Sequence, residues 1–197
     1  VRACVQGLIR GRRSEGINLI ALFDNEEVGS NTKQGANGTF LEDTVEKICA
    51  AFGVEVASAV ANSFMVSADN AHAVHPNHPE YADATHRPKM NGGIVIKHGT
   101  RYATDGASQA IFAAICKKAG VPLQYFFNRS DLAGGGTLGC ISISHVSLNT
   151  VDIGLPQLAM HSCIETGGSL DTEYLVKAMT QAYSMSFTET NGTFTLK

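Results

Sequence analysis

The segment from Gly93 to Phe127 constrains the fold most. A short apolar run, GIVIK at 93–97, precedes a helical stretch from Gly106 to Ala119. Gly120 and Pro122 end that stretch, and a second apolar run follows at Leu123–Phe127. Strand, helix, strand in this order is a crossover unit. The same alternation fills the chain. Val1, Cys4, Val5, Leu8 and Ile9 give Val1–Arg12 a helical spacing, and Phe40, Leu41, Val45, Ile48 and Cys49 do so for Thr39–Phe52. Ile17–Phe23 (INLIALF), interrupted only by Asn18, reads as a strand buried on both faces, and Asn62–Ala68 as another. Gly134–Gly136 forms a tight turn into a helix at about 137–145, followed by a strand at Leu148–Ile153 and a helix at Leu170–Met185. Asn70–Lys89, polar and rich in proline and histidine, reads as a long ordered loop. The pattern predicts one α/β domain: a three-layer α/β/α arrangement around a mostly parallel central sheet.

Composition removes several functions. Net charge is −3 over 197 residues, which argues against a nucleic-acid binder or a polybasic membrane-surface protein. The RGRR cluster at 10–13 reads as a solvated helix end. Five scattered cysteines without a CxxC pair point to a reducing compartment, and so to the cytoplasm. No apolar run is long enough to span a membrane, and no secretory signal is present. The chain starts at Val1, already in helical pattern, and reads as a piece of a longer protein.

The chemistry sits where these runs end. In LFDNEEVGS (22–30), Asp24, Glu26 and Glu27 crowd together after an apolar run. Asp69 follows the second strand, with His72 and His75 close behind. Lys97 and His98 end the third, and Asp152 leads into QLAMHS at 157–162. In open α/β sheets such groups meet in a crevice beyond the carboxyl ends of the strands. Carboxylates with imidazole and no thiolate suit Zn²⁺ or a similar ion. A metal pair about 3.5–4 Å apart with an activated water is a standard hydrolytic device. Bound cations would also hold Glu27 and Asp69 ionised against their mutual repulsion. Adjacent glutamates project in different directions, so one can bind metal while the other acts as general base.

Each signal has a plainer reading. A Glu-Glu pair is commonly solvated surface, and an aspartate after a strand is commonly a turn former or helix cap. His161 alone is a satisfied core histidine, and Lys97 alone a surface lysine at a strand end. HAVHPNHP (72–79) has zinc-like histidine spacing, but in a proline-rich turn where no helix aligns the rings. The glycine run at 134–136 lacks the Lys-Ser/Thr of a phosphate loop.

Taken together, FDNEEVGS (23–30), VSADNAHAVHPNHPE (66–80), HRPKMNGG (86–93), IVIKHGTRYAT (94–104), NRSDLAGGGTLG (128–139) and VDIGLPQLAMHS (151–162) closely resemble the aspartyl aminopeptidase family of metallopeptidases, in that family's order. The resemblance covers most of the chain. It implies a zinc-aminopeptidase-like fold and a co-catalytic site, usually with two zinc ions, that removes N-terminal Asp or Glu from peptides. Glu26 matches the family's general base; Glu27, Asp69 and His161 match metal ligands; His72, Lys97 and Tyr102 match substrate contacts. The family's N-terminal histidine, its bridging aspartate and its inserted assembly domain have no counterpart here. The chain is therefore expected to be the C-terminal part of one catalytic domain, binding metal weakly and having little or no activity by itself. The full-length family assembles as a homododecamer. The alternatives are a catalytically silent subunit that keeps the fold for binding or assembly, and a related di-metal deacylase or carboxypeptidase.

Overall fold

The computed structural model describes residues 1–13 and 15–197. The crossover unit forms as expected: β3 (Ile94–His98), α4 (Gly106–Ala119) and β4 (Leu123–Phe127), with β3 and β4 parallel. Helix α4 is defined by its ends. Asp105 accepts a hydrogen bond from Ser108 N at 2.7 Å, and Ser108 Oγ accepts from Asp105 N at 2.9 Å, a reciprocal capping box. Gly120 closes the other end in the left-handed conformation.

Two further strands complete the main sheet: β1 (Phe64–Ala68) and β5 (Asn149–Gly154), in the order β1-β5-β3-β4. The β1–β5 and β3–β4 ladders are parallel, and the central β3–β5 junction is antiparallel. The remaining helices are α1 (Arg2–Arg10), α2 (Phe40–Phe52), α3 (Val56–Ala61), α5 (Leu138–His145) and α6 (Ser169–Ser184). Side chains alternate across the strands. Ile94, Ile96, Val151 and Ile153 enter one core with Ala3 and Cys4 of α1, Phe112 and Ile115 of α4, and Val176 and Met179 of α6. The intervening Asp152 faces the other way, against α5. The result is helices on both faces of a mostly parallel sheet.

Helices α1 and α6 approach closely because Gly7 has no side chain: a Cβ there would lie 2.5 Å from Met179 Cβ. Asp171, fully buried in the first turn of α6, accepts hydrogen bonds from Asn91 N at 2.6 Å and Gly93 N at 2.9 Å and so fastens α6 to the entry of β3.

Several short elements escape periodicity. The small sheet of β2 (Ala71–His72), β6 (Pro156–Leu158) and β7 (Thr166–Gly167) is one. The hairpin of β8 (Phe187–Thr190) and β9 (Thr193–Leu196) is another, turning at Asn191-Gly192 with φ of 51° and 76°. The 70–89 loop is ordered as expected, with β2 at its start and a 3₁₀ turn at Pro79–Tyr81.

Ile17–Phe23 corrects the sequence reading. It forms no strand. Ile20 packs on the core, but Ile17, Leu19 and Leu22 are 50%, 40% and 52% exposed. A strand exists only as one side of a ladder, and among the described residues no neighbour offers its backbone to this run.

Candidate active site

Glu26 and Glu27 are presented by a tightly wound turn. Asn25 has φ of 57°, and its carbonyl accepts from Val28 N at 3.3 Å and Ser30 N at 3.1 Å. Gly29 N donates to Glu26 O at 2.8 Å, and Asp24 N to Gln34 O at 3.1 Å. The two glutamates emerge into different surroundings. Glu27 is exposed, and its Oε2 lies 2.6 Å from His161 Nδ1. Glu26 is half-buried and lines a cleft of about 360 Å³ with Gly29, Ser30, Arg101, Gly136 and Thr137.

His161 arrives on the turn after β6, itself left-handed with φ of 68°, its amide donating to Glu165 Oε1 at 2.8 Å. Asp69 follows β1, anchored by its amide to Ile153 O at 3.1 Å. Its Oδ2 lies 3.8 Å from Lys97 Nζ. Lys97 is only 2% exposed. Its ammonium donates to Asn70 O at 3.3 Å and lies 5.4 Å from the Tyr102 ring centroid. Phe126 carries the rest of this wall, 6.2 Å from Tyr102 edge-on and 6.4 Å from His72.

These groups share one electrostatic field. Burial pushes the Glu26 carboxyl up, reinforced by Asp69 and Glu27 and opposed by His161 and Lys97. Burial pulls Lys97 down, against Asp69, Asp152 and Glu26. Burial also lowers His72, helped by His161 and Lys97. Every residue singled out as catalytic, metal-binding or substrate-binding from the sequence thus lies in one neighbourhood.

Other candidates do not join it. His98 stacks on Phe127 at 4.7 Å between ring centroids, and His86 packs on the same ring at 4.4 Å. The reason is the alternation of the strand: His98 shares a face with Ile96 and packs on Tyr125 and Phe127, whereas Lys97 and its register partner Phe126 point to the other face, where Tyr102 and His72 lie. His75 and His78 pack against each other at 5.4 Å on the surface, and Asp24 accepts from Asn25 N at 2.8 Å. Phe126 is a site residue that sequence reasoning misses, because it lies inside an apolar strand with nothing to mark it. Asp152 is legible as a lone charge in an apolar run, but the sequence assigns it no role.

The donor chemistry of Glu27, Asp69 and His161 suits zinc: carboxylate oxygen and imidazole nitrogen. Their placement does not complete a centre. Zinc sites use three or four protein donors, yet among the described residues no group of three His, Cys, Asp or Glu side chains could hold an ion. Glu27 and His161 pair with each other, and Asp69 turns to Lys97.

Solved structures similar to this chain include yeast aminopeptidase 1, with a TM-score of 0.77 and 34% identity over 91% of this chain and 43% of that one. The chain also superposes on a chain of the Ape4 and Nbr1 complex, solved by cryo-EM, with a TM-score of 0.84 and 35% identity, covering 92% of this chain and 36% of that one. It superposes on a structure titled as the S. cerevisiae mApe1 dodecamer with a TM-score of 0.78 and 32% identity, covering 92% of this chain and 43% of that one. Fold and neighbours define the zinc-aminopeptidase-like fold class. The chain belongs to the aminopeptidase I zinc metalloprotease family, M18, whose model matches residues 3–183. A "Probable M18 family aminopeptidase 2" of Clostridium acetobutylicum is 46% identical over 190 residues, which is 94% of this chain and 44% of that protein. The chain spans less than half the length of the curated relatives it matches.

Proposed function

We propose that this chain is the C-terminal part of the catalytic domain of an aminopeptidase that removes Asp or Glu from peptide N-termini. The observation that carries the specificity is Lys97, a buried ammonium beside Asp69 and Tyr102. A buried cation is costly unless paired, and the carboxylate of an acidic first residue would supply a further partner. Three observations support the partial domain: the share of the relatives covered, the incomplete donor group, and the outward apolar face of Ile17–Phe23.

In this reading Glu27, Asp69 and His161 hold metal together with donors from the upstream part of the domain, and two zinc ions make the full complement. Bound zinc supplies Lewis-acid activation of water and carbonyl. Glu26 faces the cleft from the residue beside Glu27. Its carboxylate takes the proton of the attacking water and returns it to the nitrogen of the leaving peptide. Lys97, Tyr102 and His72 orient the first residue. The complete protein is a cytoplasmic homo-oligomer, with a dodecamer as the assembly to test for. The incomplete donor group favours one second reading, a silent subunit that keeps the fold for assembly.

Glu26→Gln in the complete protein separates the two. Turnover of Asp- and Glu-anilides should fall by about 10²-fold or more with bound metal unchanged; an unchanged rate removes the base role. Leu-anilide and acyl-amino-acid substrates should be turned over far more slowly, and equal rates would discard the acidic preference.

A further inference from the structure

Asp152 lies inside β5 and is fully buried, yet the proposed chemistry does not use it. A carboxylate in such a place is costly unless its oxygens are hydrogen-bonded. Both are. Oδ2 accepts from Ala103 N at 2.5 Å, and Oδ1 accepts from Thr137 Oγ1 at 3.0 Å. Its own amide donates to Thr104 Oγ1 at 2.9 Å. Helix α5 presses directly on the group: a Cβ at Gly139 would stand 2.2 Å from Oδ1.

The two donors belong to different loops. Ala103 follows Tyr102 on the loop after β3, and Thr137 ends the glycine run and caps α5. These loops form facing walls of the cleft beside Glu26: Thr100 and Arg101 on one side, Gly136, Thr137 and Cys140 on the other. Among the described residues, the hydrogen bonds from these loops to β5 all end on Asp152. The antiparallel register pairs Ile96 with Ile153, and one step further it sets Lys97 opposite Asp152. One carboxylate thus ties both walls to the strand beside the buried lysine.

We propose that Asp152 is a positioning residue that sets the spacing of the Tyr102 loop and the glycine-rich loop, and thereby how a peptide lies across the cleft beside Glu26. This rests on reading the site as that of an aminopeptidase.

The test compares Thr137→Val, Thr137→Ser and Asp152→Asn with the wild type in the complete, metal-loaded protein. KM and kcat are measured separately on acidic anilides and short peptides, with amide hydrogen exchange at 100–104 and 134–140. Thr137→Val removes one hydrogen bond and should raise the KM for peptides about fivefold, with kcat within twofold because ground and transition states lose the contact alike. Thr137→Ser should restore KM. Asp152→Asn removes the charge that strengthens both hydrogen bonds, and its NH₂ cannot accept from Ala103 N, so exchange should quicken at Ala103 or across 134–140 and KM should rise again. A purely structural role would instead lower apparent kcat through lost folded protein and leave KM alone, and that result overturns the proposal. So does an unchanged KM with unchanged exchange. A wild type without turnover sinks the aminopeptidase reading and this inference with it, whereas an active wild type with indifferent variants sinks this inference alone.

Discussion

Several carboxylates in this chain shape a loop by accepting from backbone amides. Asp83 organises the turn that returns the 70–89 loop to the sheet: His86 N donates to its Oδ1 at 2.7 Å, Thr85 N at 2.9 Å and Thr85 Oγ1 at 2.8 Å. Those amides, first His86 and then Thr85, hold its carboxyl well below the usual range. A depressed folded value means the contribution is complete above the unfolded value, near 4, and is lost as pH falls through the folded one. Amide exchange at Thr85 and His86 should therefore quicken only in strongly acidic solution; loosening already between pH 5 and 6 would contradict this origin. Residues of this kind separate what sequence shows from what it hides. Glu26, Glu27, Asp69 and His161 stand out as charges or imidazoles that follow apolar runs, and their roles come from the family resemblance of the segments that carry them. The role of Asp152 does not show, because its partners Ala103 and Thr137 lie 49 and 15 residues away and carry no mark of their own.

Among the elements, those with chemical ends were the legible ones. Helix α4 had Asp105 before it and Gly120 after it, and its boundaries fell where those residues put them. The β8–β9 hairpin carried an Asn-Gly turn that marks such a connection, but short half-buried strands give periodicity too little length to register. Ile17–Phe23 misled for the opposite reason: its composition is that of a strand, but pairing is supplied by a neighbour. The α1–α6 contact was invisible because it depends on what Gly7 lacks. Gly7→Ala tests it. Alanine favours an isolated helix by roughly 1 kcal/mol, but here its methyl meets Met179 at 2.5 Å. Overpacking should win, lowering stability by about 1–3 kcal/mol. Denaturant unfolding would show this as an earlier midpoint; a later one would mean the helices part without cost.

At the scale of the molecule, the separation of the three donors decides behaviour. With Glu27 and His161 paired and Asp69 turned to Lys97, zinc added to this chain meets no preformed centre among the described residues. Calorimetric titration should find weak binding that a chelator reverses at once, and acidic anilides should be turned over slowly or not at all. Tight, chelator-resistant zinc or turnover comparable to a full-length relative would show that the chain completes its site alone.

The packing of α1 on α6 also sets an order of events during synthesis. Arg12 N donates to Ser184 Oγ across 172 residues of chain, and Ala3, Cys4, Val176 and Met179 close one core. Helix α1 thus leaves the ribosome well before α6, the helix it packs on most. Until α6 follows, the face of α1 that meets it stays uncovered on the nascent chain, a natural foothold for chaperones, and this part of the core closes late.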